Sequence, residues 1–268
     1  MLGLTKVEDS SLSIDAPSAL RLLRRHEALS RLSDSSQRGL LAELTWIRVR
    51  RGEPLWRAGE PATRLLLVAR GMVALVATPS KGRELILGLH APVEGVDESS
   101  VLEGCAHRSD AFAFGGSALA ASIPRSSVLA ALAGSGEASL GFARVIARRH
   151  LEGERRLCGS TLPVEQRIGQ LLLDLAARFG DELDDGAVMI PLRLTRSELG
   201  AMVGTTVESA IRALSRWSRG GLLTTGENGI VLCDVSALRR EAGLDDHAGR
   251  VGGDEARAPW DAAVASSV

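Results

Sequence analysis

Apolar positions recur at helical spacing most clearly between Leu194 and Leu223, where the chain reads LTRSELGAMVGTTVESAIRALSRWSRGGLL. The pattern predicts two short helices joined by a turn at Gly204, because a glycine commonly follows the last apolar position of a helix. Each helix start has the Ser/Thr-x-x-Glu spacing of a capping box. The two predicted boxes are Thr195 with Glu198, and Thr205 with Glu208.

The second predicted helix has an apolar side and a polar side. Ala210, Leu214 and Trp217 are spaced to face a core. In a helix-turn-helix, the first residues of the second helix reach base edges in the major groove. Two arginines one turn apart suit this task, because one can bind guanine through two hydrogen bonds while the other neutralises a phosphate. The candidate DNA-binding residues are therefore Thr205, Thr206, Val207, Glu208, Ser209, Ile211, Arg212 and Arg216.

Helix pairs with a glycine turn also occur in many helical proteins that bind no DNA, so the segment alone does not settle its function. The residues that follow favour DNA binding. Two β-type runs, Leu222 to Thr225 and Ile230 to Cys233, flank the turn sequence Gly-Glu-Asn-Gly, which is typical of a hairpin. A hairpin directly after the second helix predicts a winged helix-turn-helix.

Short apolar runs separated by glycine occupy the chain from Ile47 to about Val128. Turns that recur roughly every eight to twelve residues predict an all-β barrel or roll. One of these turns is predicted at Arg70-Gly71. Ahead of the roll, the pattern predicts a loosely attached arm over residues 1–30 and a helix over 31–46.

A longer helix is predicted from about Glu137 to Thr161, and Pro163 ends it. Small and apolar residues repeat along it every three to four positions, which approximates a coiled-coil seam. Such a helix packs either on its own domain or against a second copy, and the many charges beside a thin apolar stripe favour a homodimer. The predicted dimer interface is Leu140, Ala147, Leu151, Glu154 and Cys158.

The predicted domain organisation has five parts. These are a flexible arm (1–30), a β-roll sensor domain (31–133), a dimerisation helix (134–162), a winged helix-turn-helix domain (163–240) and a tail (241–268). The DNA-binding domain opens with an amphipathic helix from Val164 to Phe179. The tail is rich in Gly, Ala, Asp and Ser without any period, so we expect it to be disordered.

The amino-acid composition limits the kinds of nucleic acid and membrane that the protein is expected to bind. The 268 residues have a formal net charge of −1, 3% aromatic residues and no tyrosine. Because the net charge is near zero, any basic charge that binds DNA must be concentrated on one face of the protein. Because aromatic residues are few, recognition of single-stranded nucleic acid by stacking on bases is disfavoured. The sequence has no secretory signal pattern and no apolar run of about 18 residues, so we expect a cytoplasmic protein without a membrane partner.

Together these elements resemble the CRP/FNR family of transcription regulators over roughly Arg48 to Arg240. The phrases RRGEPLWRAGEPATRLLLVARGMVALV and GRELILGL resemble the family's sensor domain, IARRHLEGERRL its dimer helix, and LTRSELGAMVGTTVESAIRALSRW its helix-turn-helix. The resemblance implies an α+β protein with an N-terminal antiparallel, cyclic-nucleotide-binding-like β-roll and a C-terminal winged helix-turn-helix. It further implies a homodimer without enzymatic activity that binds a near-palindromic site in double-stranded DNA, with RNA polymerase as a partner.

The family's base-reading pattern is a glutamate with an arginine four residues later, which Glu208 and Arg212 match. The resemblance implies that Glu208 accepts a hydrogen bond from a cytosine amino group and that Arg212 binds a guanine. Val207 resembles the FNR branch of the family. The implied half-site is TTGAC or TTGAT, although Ile211 departs from the serine often found in that branch.

The resemblance also implies an effector site in the β-roll. Glu98 would hold a ribose hydroxyl of a cyclic nucleotide, and Arg108 with Ser109 would hold its phosphate. However, Asp97 stands at the family's glycine position and Asp110 follows the serine, which puts carboxylates where the phosphate would lie. Arg108 could instead pair with one of these two aspartates.

Other cofactors are also weighed. The family's iron–sulfur branch needs N-terminal cysteines, and the first cysteine here is Cys105, so this cluster is not expected. Haem needs an axial ligand, for which the candidates are His90, His107, His150 and Cys105. Neither a cyclic nucleotide nor haem is favoured, and the cofactor is left unassigned.

Two other classes of function are weighed against a DNA-binding regulator. An enzyme or channel with a regulatory β-roll would carry a kinase motif or a membrane span, which the sequence lacks. An interaction or sensor protein whose winged helix does not read DNA remains an alternative, because the net charge is near neutral.

Overall fold

The computed structural model describes residues 16–79 and 82–244. Its N-terminal half is an antiparallel sheet of six strands, in which β6 and β3 are the long central pair. The path through the sheet is β1-β6-β3-β4, with β2 paired to β6 and β5 paired to β3. The strands are β1 (Thr45–Val49), β2 (Pro54–Trp56), β3 (Arg64–Ala77), β4 (Leu85–His90), β5 (Gly95–Val96) and β6 (Asp110–Pro124).

The predicted turn at Arg70-Gly71 is wrong, because β3 runs through it as one strand. Gly71 has φ +70, and the register against β6 shifts on either side of Arg70. A Cβ at Gly71 would lie 2.3 Å from the carbonyl oxygen of Ser117. A glycine can adopt this left-handed backbone and this close approach without strain, so the strand bends there and continues.

The helices account for most of the remaining described chain. The N-terminal half contains α1 (Ala16–Arg25), α2 (Asp34–Glu43), α3 (Glu98–Glu103) and α4 (Arg125–Ala133). The C-terminal half contains α5 (Gly136–Gly159), α6 (Val164–Phe179), α7 (Arg196–Val203), α8 (Val207–Arg219) and α9 (Val235–Glu241). A second sheet, in the order β7-β8-β10-β9, is formed by β7 (Asp181–Glu182), β8 (Val188–Ile190), β9 (Leu223–Gly226) and β10 (Gly229–Leu232). The predicted α+β fold class is confirmed.

The predicted loose arm is corrected for residues 16–30, which belong to the fold. Leu22 and Leu23 of α1 are buried in the same core as Phe142 of α5. A Cβ on Gly141 would lie 2.8 Å from the Cα of Ala28, so only a glycine at this point of α5 allows the N-terminal segment to approach so closely. Residues 1–15 of the predicted arm lie outside the described residues.

His26 is buried at this N-terminal contact. Its ring lies 5.3 Å from the ring of Phe142, and its Nδ1 accepts hydrogen bonds from the backbone N–H groups of Ala28 and Leu29, each at 3.2 Å. Because Nδ1 is an acceptor, the neutral imidazole carries its proton on Nε2. Burial, with a smaller contribution from the charge of Arg149, lowers the pKa of His26 to about 4.

We expect the protein to lose stability as the pH falls from about 6.5 towards 4. In that window the unfolded chain binds a proton at residue 26 and the folded chain does not, so unfolding becomes easier. Between pH 8 and pH 5, this group alone should lower the free energy of unfolding by about 2 kcal/mol. Urea unfolding at the two pH values measures the loss.

The matched control is His26→Asn, which keeps an acceptor but does not titrate. Its stability should fall less than that of the wild type over the same pH range. Equal losses in the two proteins would contradict the prediction. The buried His90 has a lowered pKa too and is present in both proteins, so it cancels in the comparison.

The DNA-binding domain has a core centred on Trp217. This side chain is 2% exposed and lies in one cluster with Ile168 and Leu172 of α6 and Leu238 of α9. The predicted disordered tail is corrected at its start, because Ala242 is fully buried and would meet a Cβ built on Gly169 at 2.9 Å. The rest of the predicted tail, 245–268, lies outside the described residues.

The β-roll and the DNA-binding domain are packed directly on one another. Leu89 of β4 and Phe114 of β6 lie in the same buried cluster as Leu199 of α7. Arg178, at the end of α6, donates a hydrogen bond to the carbonyl oxygen of Leu89 at 3.1 Å and pairs with Glu94 at 3.0 Å. The helix-turn-helix is therefore packed against the β-roll of its own chain. Across the described residues, every helix is too short or too polar to cross a bilayer.

Candidate nucleic-acid interface

The two helices α7 and α8 form the predicted helix-turn-helix. At the start of α7, the capping box of Thr195 and Glu198 is confirmed, with both of its hydrogen bonds present. Gly204 ends α7 with φ +66, a left-handed conformation that favours glycine. Leu199 of α7 and Ala210 of α8 are fully buried, so the two helices pack together through small and apolar side chains.

The predicted capping box at the start of α8 is wrong by one residue. The N-cap is Thr206, not Thr205, and its hydroxyl accepts a hydrogen bond from the N–H of Ser209 at 3.1 Å. Glu208 therefore does not hold the N3 position of a capping box. The shift leaves the carboxylate of Glu208 at the exposed tip of the helix.

Glu208 and Arg212 lie on the exposed face of α8, where Glu208 can accept hydrogen bonds and Arg212 can donate them. Hydrogen bonds from the backbone N–H of Glu208 and the hydroxyl of Thr206 lower the pKa of the Glu208 carboxyl, and Arg83 and Arg212 add to this. The carboxylate is thus an acceptor at neutral pH. Arg212 donates to the hydroxyl of Ser209 at 2.9 Å, which holds its guanidinium near the N-terminal end of the helix.

The other exposed members of the predicted set include two apolar residues. Val207 is 38% exposed and Ile211 is 44% exposed, which is high for side chains of this type. Thr205 and Ser209 are half-buried. Apolar groups at the start of a recognition helix can contact the methyl group of thymine.

Arg216 differs from the rest of the predicted set. Its guanidinium pairs with Glu165 of α6 at 2.7 Å and with Glu241 of α9 at 3.0 Å. Glu241 also accepts a hydrogen bond from Nε1 of Trp217. With two carboxylates as partners, Arg216 ties α8 to its own domain, and its side chain is still 49% exposed.

The hairpin of β9 and β10 stands next to the first helix of the motif. Its strands pair from Gly226 with Gly229 to Leu223 with Leu232, as the turn sequence predicts. Arg196 of α7 donates a hydrogen bond to the hydroxyl of Thr225 at 3.1 Å. This contact fixes the wing relative to the helices.

In the β-roll, the predicted effector residues Glu98, Arg108 and Ser109 do not form a single binding site. Glu98 is 1% exposed, and its Oε1 lies 3.1 Å from Nη2 of Arg149 on α5 without an aligned hydrogen bond. Burial raises the pKa of the Glu98 carboxyl, while Arg149 opposes the rise. Arg149 also donates to the carbonyl oxygen of Gly95 at 2.8 Å and lies 2.8 Å from Nδ1 of His90.

Arg108 is exposed. The expected pairing of Arg108 with Asp97 or Asp110 is wrong, because both aspartates have other partners. Asp97 pairs with His107 at 2.7 Å, and Asp110 pairs with Arg57 at 2.8 Å.

Ser109 is buried, and its carbonyl oxygen accepts from Nε1 of Trp56, whose ring stacks on His107 at 4.0 Å. With Glu98 already ion-paired and Arg108 in solvent, these residues do not fit a cyclic nucleotide in this arrangement.

The candidate haem ligands also have other partners. His90 and His107 are held as described above, and His150 pairs with Glu154 at 3.2 Å on the surface of α5. Cys105 contacts the carbonyl oxygen of Ser100. Among the described residues, no three His, Cys, Asp or Glu side chains gather as metal ligands.

The predicted dimer seam is exposed along α5. Leu140 is 53% exposed and Leu151 is 52% exposed, and Ala147, Glu154 and Cys158 are exposed beside them. Leu157, which the seam pattern omits, is 73% exposed. An apolar stripe of this kind on a helix is typical of a protein–protein contact.

Sequence reasoning missed Arg149 and Trp56, and it offered His107 only as a haem ligand. Arg149 follows Arg148 in an exposed-looking run of charges, and no local signal separates the two. Pairing with Glu98 depends on how α5 lies against the β-roll. Asp97 and His107 lie on either side of α3, and their 2.7 Å contact depends on the path of the chain between them.

Two family descriptions match this chain. "Cyclic nucleotide-binding domain" matches residues 46–135, and "Crp-like helix-turn-helix domain" matches residues 166–241. A "CRP-like cAMP-activated global transcriptional regulator" of Mycobacterium tuberculosis is 27% identical over 222 residues, which are 82% of this chain and 98% of the relative.

Two solved structures show the same architecture. One is the c-di-GMP responsive global regulator CLP of Xanthomonas campestris, with a TM-score of 0.63 and 25% identity, covering 75% of this chain and 99% of that chain. The other is a CRP-family transcriptional regulator of Thermus thermophilus, with a TM-score of 0.60 and 26% identity, covering 74% of this chain and 96% of that chain. These relatives are transcription regulators, not enzymes.

Proposed function

The chain belongs to the CRP/FNR family of transcription regulators, and from this premise we propose that it is a dimeric, sequence-specific DNA-binding regulator. As a homodimer, it would read a near-palindromic promoter site with TTGAC- or TTGAT-like half-sites. The observation that carries the proposal is the exposed face of α8. There, an ionised Glu208 and a positioned Arg212 stand at the N-terminal end of a helix whose opposite side is buried.

The chemistry of this face suits base edges. A carboxylate accepts from the amino group of cytosine, and an arginine donates to O6 and N7 of guanine. The lowered pKa of Glu208 keeps it an acceptor at neutral pH. Thr205, Thr206, Val207, Ser209 and Ile211 surround this pair and are proposed to contact the remaining bases and the backbone.

The dimer is proposed to form along α5. The exposed stripe of Leu140, Ala147 and Leu151 continues to Glu154 and Cys158, and a second copy of the helix would cover it. A two-fold axis along this helix would place two copies of α8 in successive major grooves, about 34 Å apart. This geometry supports a near-palindromic site.

Control of DNA binding by a signal at the β-roll is also proposed. The support is the packing of α7 on the sensor sheet, which lets a change in the roll reach the helix-turn-helix. The M. tuberculosis and X. campestris relatives are described as responsive to nucleotides. Regulation of transcription further implies RNA polymerase as a partner.

Arg212→Ala should weaken binding to the specific site by about 1 to 3 kcal/mol, because a bidentate contact with guanine is lost. The measurement is fluorescence anisotropy with a duplex that carries two inverted half-sites. The same titration on a duplex with the guanine replaced should show little further loss for the variant.

The matched control is Arg239→Ala, which removes an exposed arginine from α9 in the same domain. It should bind the duplex as the wild type does. If wild type, Arg212→Ala and Arg239→Ala all bind every duplex equally, sequence-specific reading of DNA is excluded, and an interaction protein whose winged helix does not read DNA is the better description.

A further inference from the structure

A cavity of about 440 Å³ lies between α5 and α6, away from the recognition helix. Its walls come from both halves of the chain. Arg155 and Arg156 belong to α5, Arg167 and Arg178 belong to α6, and Met202 belongs to the end of α7. The cavity therefore spans the junction between the helix that continues from the β-roll and the helices of the DNA-binding domain.

The charge of the lining is positive. Four arginines face two carboxylates, Glu152 and Asp174, so the ionisable lining residues have a net charge of +2. Two of the arginines have other partners across the domain junction: Arg156 donates to the carbonyl oxygen of Leu87, and Arg178 pairs with Glu94.

The other two arginines, Arg155 and Arg167, also line the cavity. Arg167 donates through Nη1 to the carbonyl oxygen of Val203 at 2.6 Å, but its buried Nε has no acceptor among the described residues. Arg155 is exposed at the edge of the cavity. Both guanidinium groups are lining residues of the cavity, and guanidinium groups form charge-assisted hydrogen bonds with anions.

We propose that this cavity binds a phosphorylated metabolite of nucleotide size. Arg155 and Arg167 would bind the phosphate groups, because guanidinium groups bind phosphate through paired, charge-assisted hydrogen bonds. Leu171, Leu175 and Met202 form an apolar wall for a base, and Asp174 supplies an acceptor for its amino group. A volume of about 440 Å³ falls within the range of small-ligand sites.

Such a ligand would join α5 to α6 and the end of α7, and so would hold the DNA-binding domain in one position relative to the β-roll. This consequence rests on the proposed function, whereas ligand binding does not. The site is separate from Glu98, Arg108 and Ser109 in the β-roll.

Isothermal titration calorimetry of the full-length protein with ADP and with pyrophosphate tests the proposal. We expect both probes to bind the wild type, and Arg155→Gln and Arg167→Gln each to weaken binding about tenfold or more, the loss expected for one charge-assisted pair. Arg38→Gln, which removes an exposed arginine of α2, should bind as the wild type does. A thermal melt establishes that each variant is folded.

Three results would overturn the proposal. They are no heat of binding for either probe, unchanged affinity in both Arg155→Gln and Arg167→Gln, and loss of binding in Arg108→Gln, which would move the site to the β-roll. DNA binding of the ligand-free wild type is measured in parallel. Because it does not depend on the cavity, a failure of the proposed function is seen separately from a failure of this site.

Discussion

Arg149→Met should lower the free energy of unfolding at pH 7 by about 3 to 5 kcal/mol, because it leaves the carboxylate of Glu98 buried without its cation. Glu98 is 1% exposed, and Arg149 is the charge that opposes the rise of its pKa. In the variant, the pKa of Glu98 rises further. The folded state then binds a proton that the unfolded state releases, so the deficit should be larger at pH 8 than at pH 5. Urea unfolding at both pH values measures it.

Arg148→Ala is the matched control, since Arg148 is the preceding residue of α5 and pairs with Glu27 at the surface. An exposed pair of this kind contributes roughly 0 to 1 kcal/mol, so this variant should stay close to the wild type. Adding Glu98→Gln to Arg149→Met should recover part of the lost stability and remove the extra pH dependence. A loss for Arg149→Met no larger than that for Arg148→Ala would contradict the prediction.

Trp217→Ala should destabilise the DNA-binding domain by about 3 to 5 kcal/mol, the cost of a large cavity in a packed core. Trp217 of α8 is 2% exposed and packs against α6 and α9. Hydrogen–deuterium exchange should show protection in α6 and α8 falling by about 100-fold or more, since each 1.4 kcal/mol is a factor of ten. Protection in β1 should change far less, because its side chains Trp46 and Val49 pack in other clusters.

Comparison of Trp217→Phe with Trp217→Ala separates the effect of the core cavity from the effect of the lost Nε1 hydrogen bond. Trp217→Phe keeps most of the ring volume but loses part of the indole and the hydrogen bond from Nε1 to Glu241, so its cost should be well below that of the alanine variant. It should also keep its DNA affinity. Equal exchange profiles for Trp217→Ala and the wild type would show that this side chain is not the centre of the domain core.

Local signals made the helix-turn-helix readable from the sequence. The capping box at Thr195 and the left-handed Gly204 depend only on residues within one turn, so spacing alone predicts them. The N-cap of α8 was placed one residue early because Thr205 and Thr206 are adjacent and chemically equivalent candidates. Gly71 was read as a turn because its role in β3 depends on the backbone at Ser117, far away in the sequence.

The contents of the β-roll site could not be predicted, because they are set by long-range contacts. The spacing from Arg108 draws attention to Glu98, but its partner Arg149 comes from a helix some fifty residues later. The position of Arg216 on α8 predicts a contact with DNA, but it does not reveal that Glu165 and Glu241 pair with it from two other helices. Helical spacing identifies a face but not the residues that cover it.

The cluster shared by Leu89, Phe114 and Leu199 has a thermodynamic consequence for any motion of the DNA-binding domain. Moving α7 away from the β-roll exposes these apolar side chains to water, and hydration of apolar surface raises the heat capacity. The balance between the seated and the released domain therefore depends on temperature. If the proposed signal at the β-roll acts through this contact, warming and cooling act on the same equilibrium.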